Sequence, residues 1–511
     1  HYVTGLMIRD YVAGLAPGSP MTYAEDYYLH YPKVAFGHWP PVFYLLQAGW
    51  TIPFGASRTS LMLLMAAVSA VIAVSLHRSV SRHYGMMAGV GAGILLLTVP
   101  LAQEFGRVVM ADLPQALWSF LAVLCLAAYF ERPRWWMSAL FGLFAAAAIL
   151  NKGTGVGLAL VPIVMLLLTF RFKLMLKPSF WLSAVVVVGL AAPWYLLAPS
   201  AMHQSAVPLD FVVGGNEWRP RIRMDWIPEV GWWLIPLALL GVVRQVVQPL
   251  IHGRDAVGRD GETTRTRSVA PLWAAAAALI VSTLGFRAMT PITVDTRHVL
   301  PAVPALLMFA VAGGAWLLAV LRGPVARWRV AAAAVVIGFF VIGNVRALPQ
   351  KQAYGFSGIA ADLVADDSLD SSVFLVSADA LGEGMFIAEV AMREDRPGHI
   401  VLRSSKVLSD SGWMGEGYSS RFDTAEQLMN YLDEIPVGIL VLDDSQPRPQ
   451  AHHRLLREVV TNYADRWEEA ARYPAENRDG EMVVYRLEGH EGREVGPISL
   501  DFGPPRKRPA P

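Results

Sequence analysis

The sequence has few charged residues and only one cysteine. Charged residues make up 17% of the 511 residues and hydrophobic residues 54%, whereas soluble domains have about 25% and about 45–50%. The net charge of +1 excludes a broad basic surface for nucleic acid. With Cys125 alone, the chain cannot form an intrachain disulfide, a CxxC redox site or a multi-cysteine zinc site. This composition predicts an integral membrane protein with a soluble part.

Ten apolar stretches are candidates for membrane helices, which need about 20 residues. They cover residues 61–76, 85–101, 113–130, 135–150, 155–170, 181–197, 230–250, 269–286, 299–321 and 330–345. Alternate connecting loops are richer in lysine and arginine, for example at Arg78, Arg171 and Arg327, and these loops are predicted to be cytoplasmic. Residues 1–60 and the C-terminal region are then extracytoplasmic, which leads us to expect a further helix upstream of residue 1.

The first segment, HYVTGLMIRDYVAGL, predicts an amphipathic helix. Its apolar side is formed by Val3, Leu6, Met7, Tyr11 and Leu15. Residues 40–54 are too short and too rich in proline to span, so we expect them at the membrane interface.

The pattern changes after residue 347. Short β-rich runs at 371–378, 437–444 and 481–487 alternate with helical patterns at 380–392, 424–435 and 453–463. This alternation predicts a small α/β domain with a largely parallel sheet. The expected fold is mainly α, a polytopic transmembrane bundle with a C-terminal extracytoplasmic α/β domain. The expected divisions are 1–60, 61–347, 348–488 and a disordered tail, 489–511.

The first two outward loops contain residues suited to chemistry. His38 and Trp39 precede a double proline, and Glu104, Arg107 and Asp112 lie between two apolar stretches. Each loop also has a structural explanation. Trp39 is typical of an interfacial anchor, and Asp112 precedes Leu-Pro as a helix N-cap does.

Later outward loops add positive charges. Lys152 lies in LNKGTG, where glycines allow close approach of a ligand to the backbone and a lysine suits phosphate or snorkels to the interface. Arg297 suits bidentate phosphate binding or a surface pair with Asp295. The arginines and tryptophans of residues 216–226 are explained by anionic lipid headgroups.

These residues all collect on one membrane face. A transporter places polar residues within its spans, whereas the spans here are almost free of them. The pattern therefore favours chemistry at the membrane surface.

The order of motifs resembles that of the GT-C superfamily of membrane glycosyltransferases, in particular bacterial protein O-mannosyltransferases and lipid A aminoarabinose transferases. The likeness covers residues 1–349. GHWPPVFYLL is similar to the family's His/Lys-Pro-Pro stretch, RVVMADLPQALW to its second acidic motif, LNKGTGVGLALVP to its Lys-Gly motif and TRHVLPAVPALL to its Arg-Tyr-Leu-Leu-Pro helix start. The family's first acid, taken as the general base, is expected just upstream of His1, since Asp10, Glu25 and Asp26 do not match its position.

The resemblance implies a hexosyl- or pentosyltransferase on the periplasmic face of a bacterial inner membrane. It implies a sugar donor carried on a polyprenyl phosphate and an acceptor hydroxyl or phosphate on a lipid, glycan or protein. The sequence shows no cluster of His, Asp and Glu residues for a metal site, and we expect no cofactor. The residues that the resemblance implies are catalytic Asp112 and His38, donor phosphate-binding Lys152, Arg297 and Arg107, and acceptor-binding Glu104 and Trp39.

Two other functions remain open on sequence grounds. A flippase for lipid-linked sugars requires intramembrane polar residues, and a non-catalytic scaffold requires neither Lys152 nor Asp112.

Overall fold

The computed structural model describes residues 1–34, 39–197, 225–257, 263–289, 295–319, 328–346, 354–370, 372–410, 417–476 and 478–489. The chain divides into two compact units. The helical unit comprises Gly37–Trp50 and Arg58–Pro349, and the α/β unit comprises His1–Phe36, Thr51–Ser57 and Gln350–Pro511. The predicted disordered tail lies outside the described residues from 490 onward.

The helical unit contains a helix for each of the ten predicted apolar stretches. Six helices are long and apolar enough to cross a membrane: Arg58–Tyr84, Asp112–Glu131, Pro178–Leu197, Leu234–His252, Pro271–Ala288 and Thr296–Leu318. Three shorter apolar helices are Trp135–Asn151, Gly153–Thr169 and Ala331–Arg346. The chain is therefore a multi-pass membrane protein.

A bent pair, Met86–Thr98 and Pro100–Gly106, accounts for the remaining stretch, with an angle of 62° between its helices. The bend falls at Pro100, because the proline ring lacks an N–H and cannot continue the preceding hydrogen-bond ladder.

Several of these spans combine helix types. The Gly153–Ala159 and Thr296–Ala302 turns are 3₁₀ helices that lead into the α-helices Leu160–Thr169 and Val303–Leu318. A π-helical turn, Val243–Val247, joins Leu234–Val242 to Gln248–His252. The other described elements are Val42–Phe54, Phe172–Leu176, Ile227–Val230, Arg329–Arg346 and the hairpin strands β1 (Arg254–Val257) and β2 (Thr263–Thr266).

The α/β unit is built on a five-stranded mixed sheet. Its strands are β3 (Val373–Ser377), β4 (Val401–Arg403), β7 (Val437–Asp443), β8 (Trp467–Pro474) and β9 (Glu481–Leu487). The order is β4-β3-β7-β9-β8; β3 is parallel to β4 and β7, whereas β9 is antiparallel to β7 and β8. The predicted parallel sheet is therefore right for three strands. A short ladder joins β5 (Ser409–Asp410) and β6 (Ser419–Ser420).

Both faces of this sheet are buried. Alternate strand residues point to opposite faces, so Phe374 packs in the core with Phe386 on one side and Leu375 packs with Leu428 on the other. The helices of the unit are Tyr2–Ala13, Pro20–His30, Phe356–Val364, Asp367–Leu369, Ala380–Arg393, Ser404–Val407, Ala425–Glu434 and Ala451–Asn462.

The two N-terminal helices belong to this unit. Val3, Leu6 and Met7 are buried in its core, as predicted. The prediction for Leu15 is wrong: the helix ends at Ala13, and Leu15 is 91% exposed with a φ of 59°. The helix does not continue because Leu15 and Ala16 have left-handed φ values of 59° and 54°, which an α-helix does not contain.

Candidate active site

Two neighbouring helices meet at Asp112 and Lys152. Helix Asp112–Glu131 begins at Asp112, and Lys152 directly follows helix Trp135–Asn151. The Lys152 Nζ donates a hydrogen bond to Asp112 Oδ1 over 2.5 Å, and both residues are buried. Asn151 Nδ2 fixes the same turn by donating to the Ala111 carbonyl at 2.9 Å and to Gln115 Oε1 at 3.0 Å. The lysine is therefore held by a carboxylate from the adjacent helix.

The interpretation of Asp112 as an N-cap is wrong. The N-cap position is Ala111, no side chain caps this helix, and Asp112 is its first residue. The carboxylate binds the ammonium of Lys152 instead, because a charge-assisted bond in a buried site is stronger than a neutral one.

Gly155 is also needed for the packing of this turn. A Cβ at Gly155 would lie 2.5 Å from the Ala148 carbonyl carbon and 2.6 Å from the Ile149 nitrogen. The glycine therefore lets the 3₁₀ turn pack against the end of the preceding helix, and this packing places Lys152.

Arg297 lies at the start of another helix. Asp295 is the N-cap of the Thr296–Ala302 helix, accepts a hydrogen bond from the Arg297 backbone N–H at 3.2 Å, and pairs with Arg297 Nε at 3.1 Å. The predicted Asp295–Arg297 pair is present. The cap and the ion pair together orient Arg297.

Arg287 completes the set of cations, although sequence reasoning did not select it as a site residue. It lies in the last turn of helix Pro271–Met289, its side chain is only 5% exposed, and its Nη2 lies 3.1 Å from Asp225 Oδ1. A basic residue near the end of an apolar helix was the available signal, but snorkelling explains that position equally well from sequence alone.

Lys152, Arg287 and Arg297 line one cavity of about 160 Å³. Trp39 and His298 also line it, as do Gln115, Ser119, Gly153, Thr154, Gly155, Gly157, Leu158, Ser282, Thr283, Phe286 and Pro301. Each cation has its own carboxylate partner, which keeps it in place without an anion in the cavity. Donors fixed in this way need little rearrangement when negative charge develops beside them.

Three of the other predicted site residues, Asp112, Glu104 and Arg107, do not line this cavity. Asp112 lies behind Lys152 and is not part of the lining, and neither are Glu104 and Arg107, which are exposed. His38 lies outside the described residues. Among the residues that the structure describes, no three His, Cys, Asp or Glu side chains are placed to hold a metal ion.

The acidic pair at the end of β7 is bound by arginines. Asp443 Oδ2 accepts from Arg478 Nη2 at 2.7 Å, and Asp444 Oδ1 accepts from Arg457 Nε at 2.6 Å. The pair therefore stabilises the α/β unit.

Ser377, His453 and Asp444 form a row that is similar to a hydrolase triad. Ser377 Oγ lies 2.8 Å from His453 Nδ1, and His453 Nε2 lies 3.6 Å from Asp444 Oδ1. Ser377 is fully buried. Its hydroxyl is therefore closed to a substrate and serves packing.

Comparison with known proteins agrees with the resemblance. Residues 38–196 match the family model described as dolichyl-phosphate-mannose-protein mannosyltransferase. No curated protein matches the sequence significantly.

Solved structures match over most of the chain. The crystal structure of ArnT from Cupriavidus metallidurans bound to undecaprenyl phosphate has a TM-score of 0.52 at 13% identity, covering 96% of this chain and 94% of that one. The Archaeoglobus fulgidus oligosaccharyltransferase in complex with Zn and sulfate has a TM-score of 0.50 at 15% identity, covering 80% and 60%. At these identities the likeness concerns the fold, and the chain has the GT-C fold that the sequence predicted.

Proposed function

We propose that this protein is a membrane glycosyltransferase that moves a sugar from a polyprenyl-phosphate donor to a hydroxyl or phosphate of an acceptor at the extracytoplasmic face. The observation that carries the proposal is the cavity in which Lys152, Arg287 and Arg297 converge. The family match and the undecaprenyl phosphate named for the matching ArnT structure support a donor of this class.

The chemistry explains why three cations are needed. An acceptor oxygen attacks the anomeric carbon while the bond from that carbon to the donor phosphate oxygen breaks. The bonding electrons leave with the polyprenyl phosphate, which gains one negative charge. Lys152, Arg287 and Arg297 stabilise this charge, more effectively in a water-poor cavity than in solvent.

The acceptor decides whether a base is needed. A hydroxyl acceptor loses its proton to a base. An ionised phosphate acceptor has no such proton to lose. In both cases Asp112 acts as a positioning residue, because it touches Lys152 and does not line the cavity.

Trp39 and His298 line the same cavity and are proposed to contact the sugar. The ring of Trp39 offers an apolar surface, and the nitrogens of His298 offer hydrogen bonds. Glu104 and Arg107 are exposed and do not line the cavity. We therefore propose that Glu104 contacts the approaching acceptor, and we do not assign Arg107 to the donor phosphate.

The test is transfer by the full-length protein in liposomes, with a panel of radiolabelled polyprenyl-phosphate sugars and cell-envelope fractions as acceptors. We expect labelled acceptor and released polyprenyl phosphate. Arg297→Met is the main variant, because Arg297 is half-exposed and its loss should leave the fold intact. It should lower turnover by about 10²–10³-fold, as loss of one transition-state donor does.

Lys173→Met is the matched control, since Lys173 is a lysine of the helical unit outside the cavity lining. It should turn over normally. If the labelled lipid moves across the bilayer but no sugar is transferred, the protein is a flippase and the proposal is wrong. If no donor gives either transfer or movement, the remaining interpretation is a non-catalytic scaffold.

A further inference from the structure

A lysine of the α/β unit is fixed at the surface beside the start of helix Ala380–Arg393. Lys33 Nζ donates to the Ala380 carbonyl at 2.8 Å. Its aliphatic stem lies across Gly384, where a Cβ would approach Lys33 Cε to 3.0 Å. The glycine therefore makes room for the lysine, and the ammonium is held in one position.

The carboxylate nearest to this lysine along the helix is already saturated. Glu383 is fully buried and accepts from Arg403 Nε at 2.9 Å and from Ser404 Oγ at 3.1 Å. It also accepts from the backbone N–H of Ser405 at 2.8 Å and from its hydroxyl at 2.5 Å. Among the residues that the structure describes, no carboxylate lies within ion-pair distance of Lys33.

Arg403 is bound to Glu383 by its Nε alone. Within the described part of the chain, its two Nη groups make no hydrogen bond, and its side chain is 11% exposed. A guanidinium held by one nitrogen presents the rest of its planar fork to an incoming oxyanion.

Counting Lys33 itself, the cationic side chains around this position outnumber the carboxylates. The pKa of Lys33 is lowered to about 8, mainly by burial and also by the charges of Arg403 and Lys406, whereas Glu383 and Asp379 oppose the shift. The Asp379 carboxylate is engaged as the helix cap, through Leu381 and Gly382. The three cations therefore exceed the charge that the two carboxylates supply.

We infer that Lys33, Arg403 and Lys406 form a binding site for a phosphate-class oxyanion, either a lipid headgroup phosphate or a soluble phosphate. A tetrahedral oxyanion accepts hydrogen bonds from several donors at once and supplies the missing negative charge. All three residues belong to the α/β unit, so the site shares no residue with the cavity of the helical unit. The inference does not rest on the proposed transferase activity.

Protection of Lys33 from acetylation tests the site, with the full-length protein in an uncharged detergent and the modified peptides quantified by mass spectrometry. Inorganic phosphate, compared with chloride at equal ionic strength, should slow acetylation of Lys33 saturably and leave Lys173 of the helical unit unaffected. Lys406 is exposed, so Lys406→Met should fold normally. It should raise the half-protecting phosphate concentration about tenfold, the effect of losing one charge-assisted contact.

A second arm uses nanodiscs of phosphatidylglycerol or of phosphatidylcholine. Protection by inorganic phosphate identifies a soluble oxyanion as sufficient. Protection only in phosphatidylglycerol assigns the site to a lipid headgroup. Equal acetylation of Lys33 in chloride, phosphate and both kinds of nanodisc would overturn the inference, as would equal protection in wild type and Lys406→Met.

Discussion

The buried Asp112–Lys152 pair gives the sharpest prediction at the residue scale. Asp112→Asn keeps the shape but leaves the ammonium of Lys152 buried without its counter-charge. Removing one partner of a buried pair costs about 3–5 kcal/mol. We therefore expect a clear drop in the Tm of the detergent-solubilised protein, together with loss of transfer.

The control for this prediction is the double variant Asp112→Asn/Lys152→Met. It removes both charges and should regain most of the Tm while remaining inactive, because the cavity has lost a cation. An unchanged Tm in Asp112→Asn alone would contradict the role of Asp112 as the partner of Lys152.

Gly155→Ala tests the packing that places Lys152. The added Cβ meets backbone atoms of the preceding helix, which cannot rotate away. Overpacking of this kind costs about 1–3 kcal/mol, so transfer and Tm should both fall. Gly189→Ala is the matched control, because a Cβ at Gly189 meets nothing within 4 Å. Equal behaviour of the two variants would show that the close contact at Gly155 is unimportant.

Lys33 should give the stability a specific pH dependence. Its pKa is lowered from 10.5 in the unfolded chain to about 8 in the folded protein. Between these pH values the unfolded chain binds more protons here, so the free energy of unfolding rises with pH. Below pH 8 the lysine is charged in both the folded and the unfolded state, and the folded protein bears the full free-energy cost of burying that charge.

The measurement is the difference in Tm between wild type and Lys33→Met in phosphate-free buffer. The Tm of wild type should rise relative to the Tm of Lys33→Met as the pH is raised from about 8 to about 10. Parallel pH profiles of the two proteins would show that Lys33 titrates alike in both states.

At the scale of elements, an ion pair ties the N-terminal helix to the segment after Ala380–Arg393. Arg396 donates to both carboxylate oxygens of Asp10, at 2.6 and 3.2 Å, and the Tyr27 hydroxyl donates to the same carboxylate at 3.1 Å. Asp10→Asn should destabilise the α/β unit by about 1.5–3 kcal/mol. Faster limited proteolysis within residues 1–30 is the measurement.

Arg472→Met is the comparison for Asp10→Asn. Arg472 also forms ion pairs, with Glu469 and Glu481, but these lie on the surface. Surface pairs contribute little, so this variant should be cleaved at the wild-type rate. If both variants behave alike, the Asp10–Arg396 pair does not hold the N-terminal helix.

Elements with a regular apolar pattern were predictable, and those without one were not. The strand predicted at 481–487 is β9, Glu481–Leu487, because its apolar residues face the core. Its neighbour β8 was missed. In β8 only Trp467 is buried and the other side chains are exposed or half-buried, as on the edge of a sheet, so the strand has little hydrophobic signal.

At the scale of the whole molecule, the α/β unit constrains the membrane topology. It contains both His1–Phe36 and Gln350–Pro511, which flank the helical unit in sequence. Both flanks must lie on one side of the membrane, so the chain between them crosses an even number of times. All ten apolar helices satisfy this condition, as do the six long helices alone, whereas the six long helices plus the bent pair, seven in all, do not.

Cysteine accessibility tests the shared side. In a Cys125→Ser background, Leu15→Cys and Leu381→Cys place thiols at residues that are 91% and 52% exposed. A membrane-impermeant maleimide applied to intact cells should label both, since the side is expected to be extracytoplasmic. Labelling of one position in intact cells and of the other only after lysis would refute the arrangement.

The sequence by itself determined the membrane class, the ten apolar helices and the loops that contribute Lys152 and Arg297 to the cavity. These features depend on composition and on local periodicity, which a single sequence displays directly. Lys152 and Arg297 could be chosen for the same reason, since each lies in a loop between apolar stretches.

Only the tertiary structure decided what these residues contact. Asp112 and Lys152 are 40 residues apart, and Arg287 is 62 residues from Asp225. Partners so distant in sequence are chosen by the packing of helices against one another, which leaves no local pattern. For this reason the sequence left a helix cap open as an alternative role for Asp112 and did not point to Arg287, while folding gave each cation of the cavity its own carboxylate.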